Sequence, residues 1–271
     1  MNFATQSLMK KGVLNRYQLQ ARVFPASLAL LPVIAVPIAW DKDFLNATKP
    51  LIGIVCGSGF VLLLAQVGRD RGQRVQDKLV DAWGGLLTTV FLRHRNERID
   101  AVSKARYHSL LAKHIPGITF PTPEQESADP KAADAIYASS GEFLKNHTRD
   151  QKKFEVLFIE NIDYGFRRNL FGLKPVGILA CIIGTVGCGW KLWLDHVGST
   201  PGVSPVALLG TLLGVVLGLA WIFLINQRWV ERAAESYALQ LLRSIDQIGG
   251  KPKAKSPEVK TARKSTKANK D

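Results

Sequence analysis

The residues of this chain that could do chemistry are few and poorly placed for it. His94, His108, His114 and His147 are spread along the sequence, with no carboxylate at a spacing that fixes a metal or a catalytic triad. Cys56, Cys181 and Cys188 form no CxxC pair, and there is no HExxH and no phosphate loop of the Walker type. "GSG" at 57–59 puts Ser58 inside an apolar run, where it reads as a small packing residue. "ASSGE" at 138–142 lacks the strand–turn–helix setting that a nucleophile elbow needs. The pattern predicts no catalytic residue, no metal site and no cofactor. Arginines are what remain, as Arg69/Arg71/Arg74, Arg93/Arg95/Arg98 and Arg167/Arg168. The first and last groups flank apolar runs and read as anchors to anionic lipid headgroups. Arg93, Arg95 and Arg98 stand farther from any such run. Three guanidinium groups within six residues suit a phosphate-bearing ligand or an acidic partner.

The elements that must position these residues are set by four stretches almost free of charge: Val23 to Trp40, Pro50 to Val67, Pro175 to Leu194 and Val203 to Asn226. A helix rises ~1.5 Å per residue, so each stretch matches the ~30 Å hydrocarbon layer of a bilayer. The first follows a basic N-terminus, yet it is longer than a signal-peptide core and no small-x-small cleavage site follows, so it reads as a retained anchor. All three cysteines fall inside these runs and read as reduced packing residues. The expectation is an all-α integral membrane protein, with four transmembrane helices as two hairpins (23–67 and 175–226) flanking a helical segment at 68–174.

Charge gives an orientation. Residues 1–22, 68–174 and 227–271 hold 33 of the 36 Lys and Arg residues. The positive-inside rule therefore puts both termini and the central segment in the cytoplasm, with 41–49 and 195–202 facing outward. Trp40, Trp190, Trp193 and Trp221 stand near the expected interfaces, and Lys191 can snorkel from its span.

Glycine is the other regular feature. In "LLGTLLGVVLGLAWIFLI" (208–225), Gly210, Gly214 and Gly218 recur every fourth residue. In water each would cost a helix about 1 kcal/mol relative to alanine. In lipid no hydrophobic force presses apolar helices together, and small residues that allow close backbone approach mark the contact faces. Gly53 and Gly57 form a shorter version in the second span, and Gly177/Cys181 with Gly184/Cys188 do so in the third. Such faces either hold the spans of one chain together or pair the fourth span between protomers of a homo-oligomer. No ionisable residue lies near an expected midplane, which argues against an ion-coupled carrier.

The 68–174 segment reads as helices over 69–83, 96–115, 131–148 and 151–173, with 120–130 as a proline- and acid-rich loop. Gly84-Gly85 and Pro116-Gly117 supply stops. The second span is expected to continue into the first of these helices, and the last helix to run into the third span. Residues 249–271, with eight basic and two acidic side chains, hold too little apolar surface to fold and suit the anionic inner leaflet.

In span count and layout, two hairpins flanking a helical cytoplasmic segment with no catalytic motif, the chain resembles the small multi-pass membrane effectors of bacterial antiphage systems. Those effectors permeabilise or depolarise the inner membrane once a cytoplasmic partner senses infection. The resemblance implies a membrane effector or pore component gated by a cytoplasmic protein or signal. It carries no residue roles. The alternative is a non-catalytic membrane anchor that recruits a cytoplasmic complex. Reporter fusions at residues 45, 120, 198 and 260 test the orientation: those at 45 and 198 should report export, and those at 120 and 260 retention.

Overall fold

A computed structural model describes residues 15–41, 59–198 and 202–248. Every regular element within them is helical. Gly53, Gly57, Cys56, Ser58 and the lysine-rich tail lie outside the described residues. Three helices are long and apolar enough to cross a membrane: α1 (Arg16–Trp40), α8 (Lys174–Val197) and α9 (Pro205–Leu224). Only the end of the expected second span is described. It opens α2 (Phe60–Ala82), which runs from apolar residues into charged ones without interruption. The other helices are α3 (Leu87–Leu92), α4 (Ala101–His114), α5 (Pro123–Ala128), α6 (Pro130–His147), α7 (Glu155–Gly172) and α10 (Gln227–Arg243).

Capping explains most of the boundaries. Asn15 and Gln18 form a reciprocal capping box at the start of α1, and Thr122 with Gln125 does the same for α5. Asp100, Asp129, Ser204 and Asn226 each accept a hydrogen bond from a first-turn N–H of the helix that follows. Gly84 and Gly85 both take positive φ, which lets the chain reverse after α2. The expected loop at 120–130 instead holds a turn and a half of helix. Proline at N1 behind a capping threonine starts it, and Asp129 both ends it and caps α6.

α1, α8 and α9 pack as a tight bundle whose contacts are made by small residues. A Cβ at Gly184 would lie 2.5 Å from the Pro32 carbonyl oxygen of α1, and one at Gly187 2.9 Å from Val36. The stripe on α9 is filled from α8: Gly210 sits on Cys188, Gly214 on Thr185 and the Cys181 carbonyl, and Gly218 on Cys181. This face therefore joins two helices within one chain. Cys181 and Cys188 are buried free thiols. Trp221 is not a headgroup-facing ring. It is 1 % exposed and lies flat against Gly177, where any side chain would overlap it. Trp40, Trp190 and Trp193 remain about half exposed, and Trp40 Nε1 donates to the Gly187 carbonyl at 3.0 Å.

The polar domain has its own core. Leu92, Leu111, Tyr137 and Leu144 meet Leu241, Leu242 and Ile245, so α10 and the turn after it complete the core of the segment between the spans. Bundle and domain are joined by α7. Leu173 stays in helical backbone between α7 and α8, so the two form one rod jointed at Leu173–Pro175. The first and last spans each contain a π-turn near this joint, Leu19–Val23 and Ala220–Leu224. Widened turns leave carbonyls without helical partners. Asn169, 1 % exposed, donates to the Ala21 carbonyl at 2.7 Å. Lys174 donates to the carbonyls of Ile222 at 3.0 Å and Ile225 at 2.8 Å. α2 meets the same joint at Gly72, whose N–H lies 2.6 Å from where a Gly172 Cβ would stand.

Replacing Gly214 by Leu should lower the unfolding temperature of the detergent-solubilised chain, because overpacking costs about 1–3 kcal/mol or more. Val216→Leu, on the exposed face of the same helix, should leave it unchanged. Equal effects of the two would remove the packing role assigned to the stripe.

Candidate functional site

Arg93, Arg95 and Arg98 follow α3 on an irregular connection, and each reaches a different helix. Arg93 grips both carboxylate oxygens of Asp134 on α6 at 2.8 Å and also donates to the Gly84 carbonyl at 2.7 Å. Arg95 pairs with Glu126 on α5 at 3.1 Å, and Arg98 with Glu235 on α10 at 2.7 Å. The three therefore staple one connection to α5, α6 and α10, and do not converge on an open anion pocket. The side chains of Arg95 and Arg98 remain about half exposed, at 49 % and 53 %, and face outward where a partner can meet them.

Beneath this connection lies a polar network that the sequence spacing does not announce. Glu126 is 2 % exposed, and both of its oxygens are taken. Tyr137 donates to one at 2.7 Å, as does the His94 N–H, while Arg95 holds the other. Lys104, 5 % exposed, places its ammonium among the carbonyls of Arg93, His94 and Asn96. It acts as a cation cap for a stretch of backbone with no ladder of its own. His108 Nε2 sits 2.8 Å from the Leu92 carbonyl, and its ring stacks on Phe120 at 4.5 Å. His94 meets it edge-on at 5.0 Å. Two histidines far apart in sequence are thus neighbours.

The electrostatics follow from burial. Burial pushes the His108 pKa down to about 4, with the nearby charges of His94 and Lys104 acting in the same direction. Glu126 is raised by burial, but the hydrogen bonds from Tyr137, His94 and Arg95 and the Arg95 charge outweigh this and hold it below the ordinary carboxylate range. Glu126, with both oxygens occupied by donors, is the anion that holds this network together.

A second polar site opens where the domain meets the bundle. Tyr17 from α1, Asn161 from α7 and Tyr237 from α10 line a cleft of about 400 Å³, with Lys145, Thr148, Arg149 and Gln151 on its rim. Lys145, Asn161 and Tyr237 are shared with a deeper lobe of about 190 Å³ whose walls include Gln76, Trp83, Tyr164 and Arg168. Neither lobe has an aspartate or glutamate in its lining. Tyr164 and Tyr237 stack at 6.1 Å with rings 9° apart, and burial keeps both phenols protonated, Tyr237 being pushed up to about 12.

The two arginines of the 167–168 pair part company here. Arg167 pairs with Asp163 at 2.9 Å, donates to the Trp229 carbonyl and covers the Trp229 ring, so it ties α7 to α10. Among the described residues Arg168 donates to neutral acceptors, Gln76 and Asn169. No group of His, Cys, Asp and Glu that could hold a metal occurs among the described residues. No protein-family model, curated protein or solved structure matches the chain.

The buried network predicts acid sensitivity. His108 titrates at 6.5 when unfolded and at about 4 when folded, so between those values the unfolded chain binds the extra proton. Stability should be full above pH 6.5 and fall progressively toward pH 4. Glu126 adds a loss as pH drops below its ordinary value of 4.5, since its folded pKa is depressed. Thermal unfolding measured from pH 8 to pH 4 should show this decline, and His108→Gln, which retains a donor for the Leu92 carbonyl, should flatten it above pH 5.

Proposed function

We propose that this chain is a non-catalytic membrane anchor, built as four transmembrane helices in two hairpins, that fixes a helical domain against the cytoplasmic face for a protein partner. One observation carries this reading. The domain is not tethered by a flexible linker. It shares the rod α7–α8 with the bundle, and its core is closed by the helix that follows the last span. Rigid continuity fixes the height and orientation of the domain's outer surface, which is what a recruiting platform needs. The half-exposed Arg95 and Arg98 suit an acidic partner surface there.

A second reading, a partner-gated effector of bacterial inner membranes that depolarises the cell, draws on a different feature. α9 exposes Leu209, Leu212, Val216 and Phe223 along its outer face. That face suits lipid if the chain is alone, and a protein interface if several copies assemble. The bundle within one chain is filled by Trp221 and the glycine contacts, so a conducting path would require such assembly.

Membrane potential separates the two. A potential-sensitive dye on cells producing the full chain should show no change at any level, and deletion of the gene should release its partner into the cytosol. Depolarisation that grows with expression and disappears in a Phe223→Ala/Val216→Ala variant would replace the anchor reading with the effector.

A further inference from the structure

The two-lobed cleft between α6, α7 and α10 contains a mismatch between what it offers and what it holds. Its donors are Arg168, Lys145, Arg149 and the tyrosine hydroxyls. It has no carboxylate wall. Lys145 is partly offset by Glu142 at 2.7 Å, and Arg149 reaches Asn146 at 2.7 Å. Arg168 has no acidic partner among the described residues, although desolvating a guanidinium is costly unless a counter-charge is near. Its side chain is held in place, by Gln76 and Asn169 along its edge and by the Tyr164 ring 5.6 Å away. Trp83 Nε1 has no acceptor among the described residues, but it is sealed from solvent and takes no part in the lining that a ligand could reach.

We propose that the cleft is a binding site for a phosphate-bearing anion. Such a group would bring what is missing: negative charge for Arg168 and Lys145, and acceptor oxygens for their N–H groups and the tyrosine hydroxyls. A planar guanidinium with fixed edges suits phosphate oxygens. Size agrees, because the inner lobe of about 190 Å³ admits a phosphoryl group and the outer lobe of about 400 Å³ admits what is attached to it. So does location. Arg168 lies less than two helical turns from Lys174, where the apolar rod begins, at a depth that a lipid headgroup reaches from the bilayer and a soluble phosphate reaches from water. This site is independent of the anchor reading, since either a platform or an effector can contain it.

The full chain in nanodiscs tests it, with the thermal unfolding midpoint as readout. One arm titrates inorganic phosphate into phosphatidylcholine discs, and the other replaces part of the phosphatidylcholine by phosphatidylglycerol. The midpoint should rise in at least one arm. A rise with phosphatidylglycerol alone identifies a headgroup, and a rise with phosphate alone a soluble ligand. Arg168→Gln should abolish the rise. Because that change also disturbs Asn169, Lys145→Gln provides the control: it removes a cation that lines both lobes, leaves Asn169 untouched, and should weaken half-saturation about tenfold. No rise in either arm overturns the proposal. So does a rise of equal size and midpoint in both variants, which would reflect general surface charge.

Discussion

Backbone groups at the edge of an apolar bundle must find partners inside the protein, and this constraint organises the whole molecule. Two of its three described apolar helices break regular geometry at a π-turn, and both breaks fall beside one joint. Asn169 and Lys174, five residues apart on the rod α7–α8, supply the donors. In water such a carbonyl would lose little by being free. In an apolar setting it costs several kcal/mol, so the side chains that satisfy it are structural in the strict sense. The rod is the centre of the fold because it is the only described element that touches every layer: α1, α2 and α9 at the joint, and α10 in the domain.

Close approach follows from the same constraint. α2 meets the rod most closely where Gly72 faces Asn169 and Gly172, and a side chain at either glycine would displace the carboxamide or the facing backbone. The bundle repeats the device farther along. Gly177 accepts the Trp221 ring, Gly184 the Pro32 backbone, and Gly210 and Gly214 the Cys188 and Thr185 side chains. Dispersion between backbones in direct contact replaces the hydrophobic force that lipid does not supply. The outward faces of α8 and α9 keep Leu, Ile and Val, so small and large residues separate by face along the same helices.

Apolar length, glycine spacing and helical periodicity are local properties, and they made three apolar helices, the helical segment at 68–174 and the continuation of the last helix into α8 legible in the sequence. The α5 helix was readable in principle from Thr122-Pro123 and Gln125, but the surrounding prolines and acids masked it. Trp221 misled for a different reason. Its position near a span end is typical of a headgroup-facing ring, and only the gap at Gly177, on another helix, turns it inward. The buried network was illegible because it is nonlocal. Glu126 is separated by 11 residues from Tyr137, by 31 from Arg95 and by 32 from His94, with a connection, a helix and a turn between. The arginines at 93, 95 and 98 stood out as a cluster, yet their carboxylates lie on three helices that no spacing links.

Arginine 168 shows how closely the two halves of the molecule are linked. Its guanidinium lines the cleft and touches the Asn169 carboxamide oxygen, while the nitrogen of that carboxamide holds the π-turn of the first span. Contiguity of this kind is not coupling. Coupling needs an element with two arrangements that both sites bias. What the structure shows is the contiguity: Arg168 donates to the Asn169 oxygen, Asn169 donates to the Ala21 carbonyl in the π-turn of α1, and the polar domain and the apolar bundle are joined by this one set of hydrogen bonds.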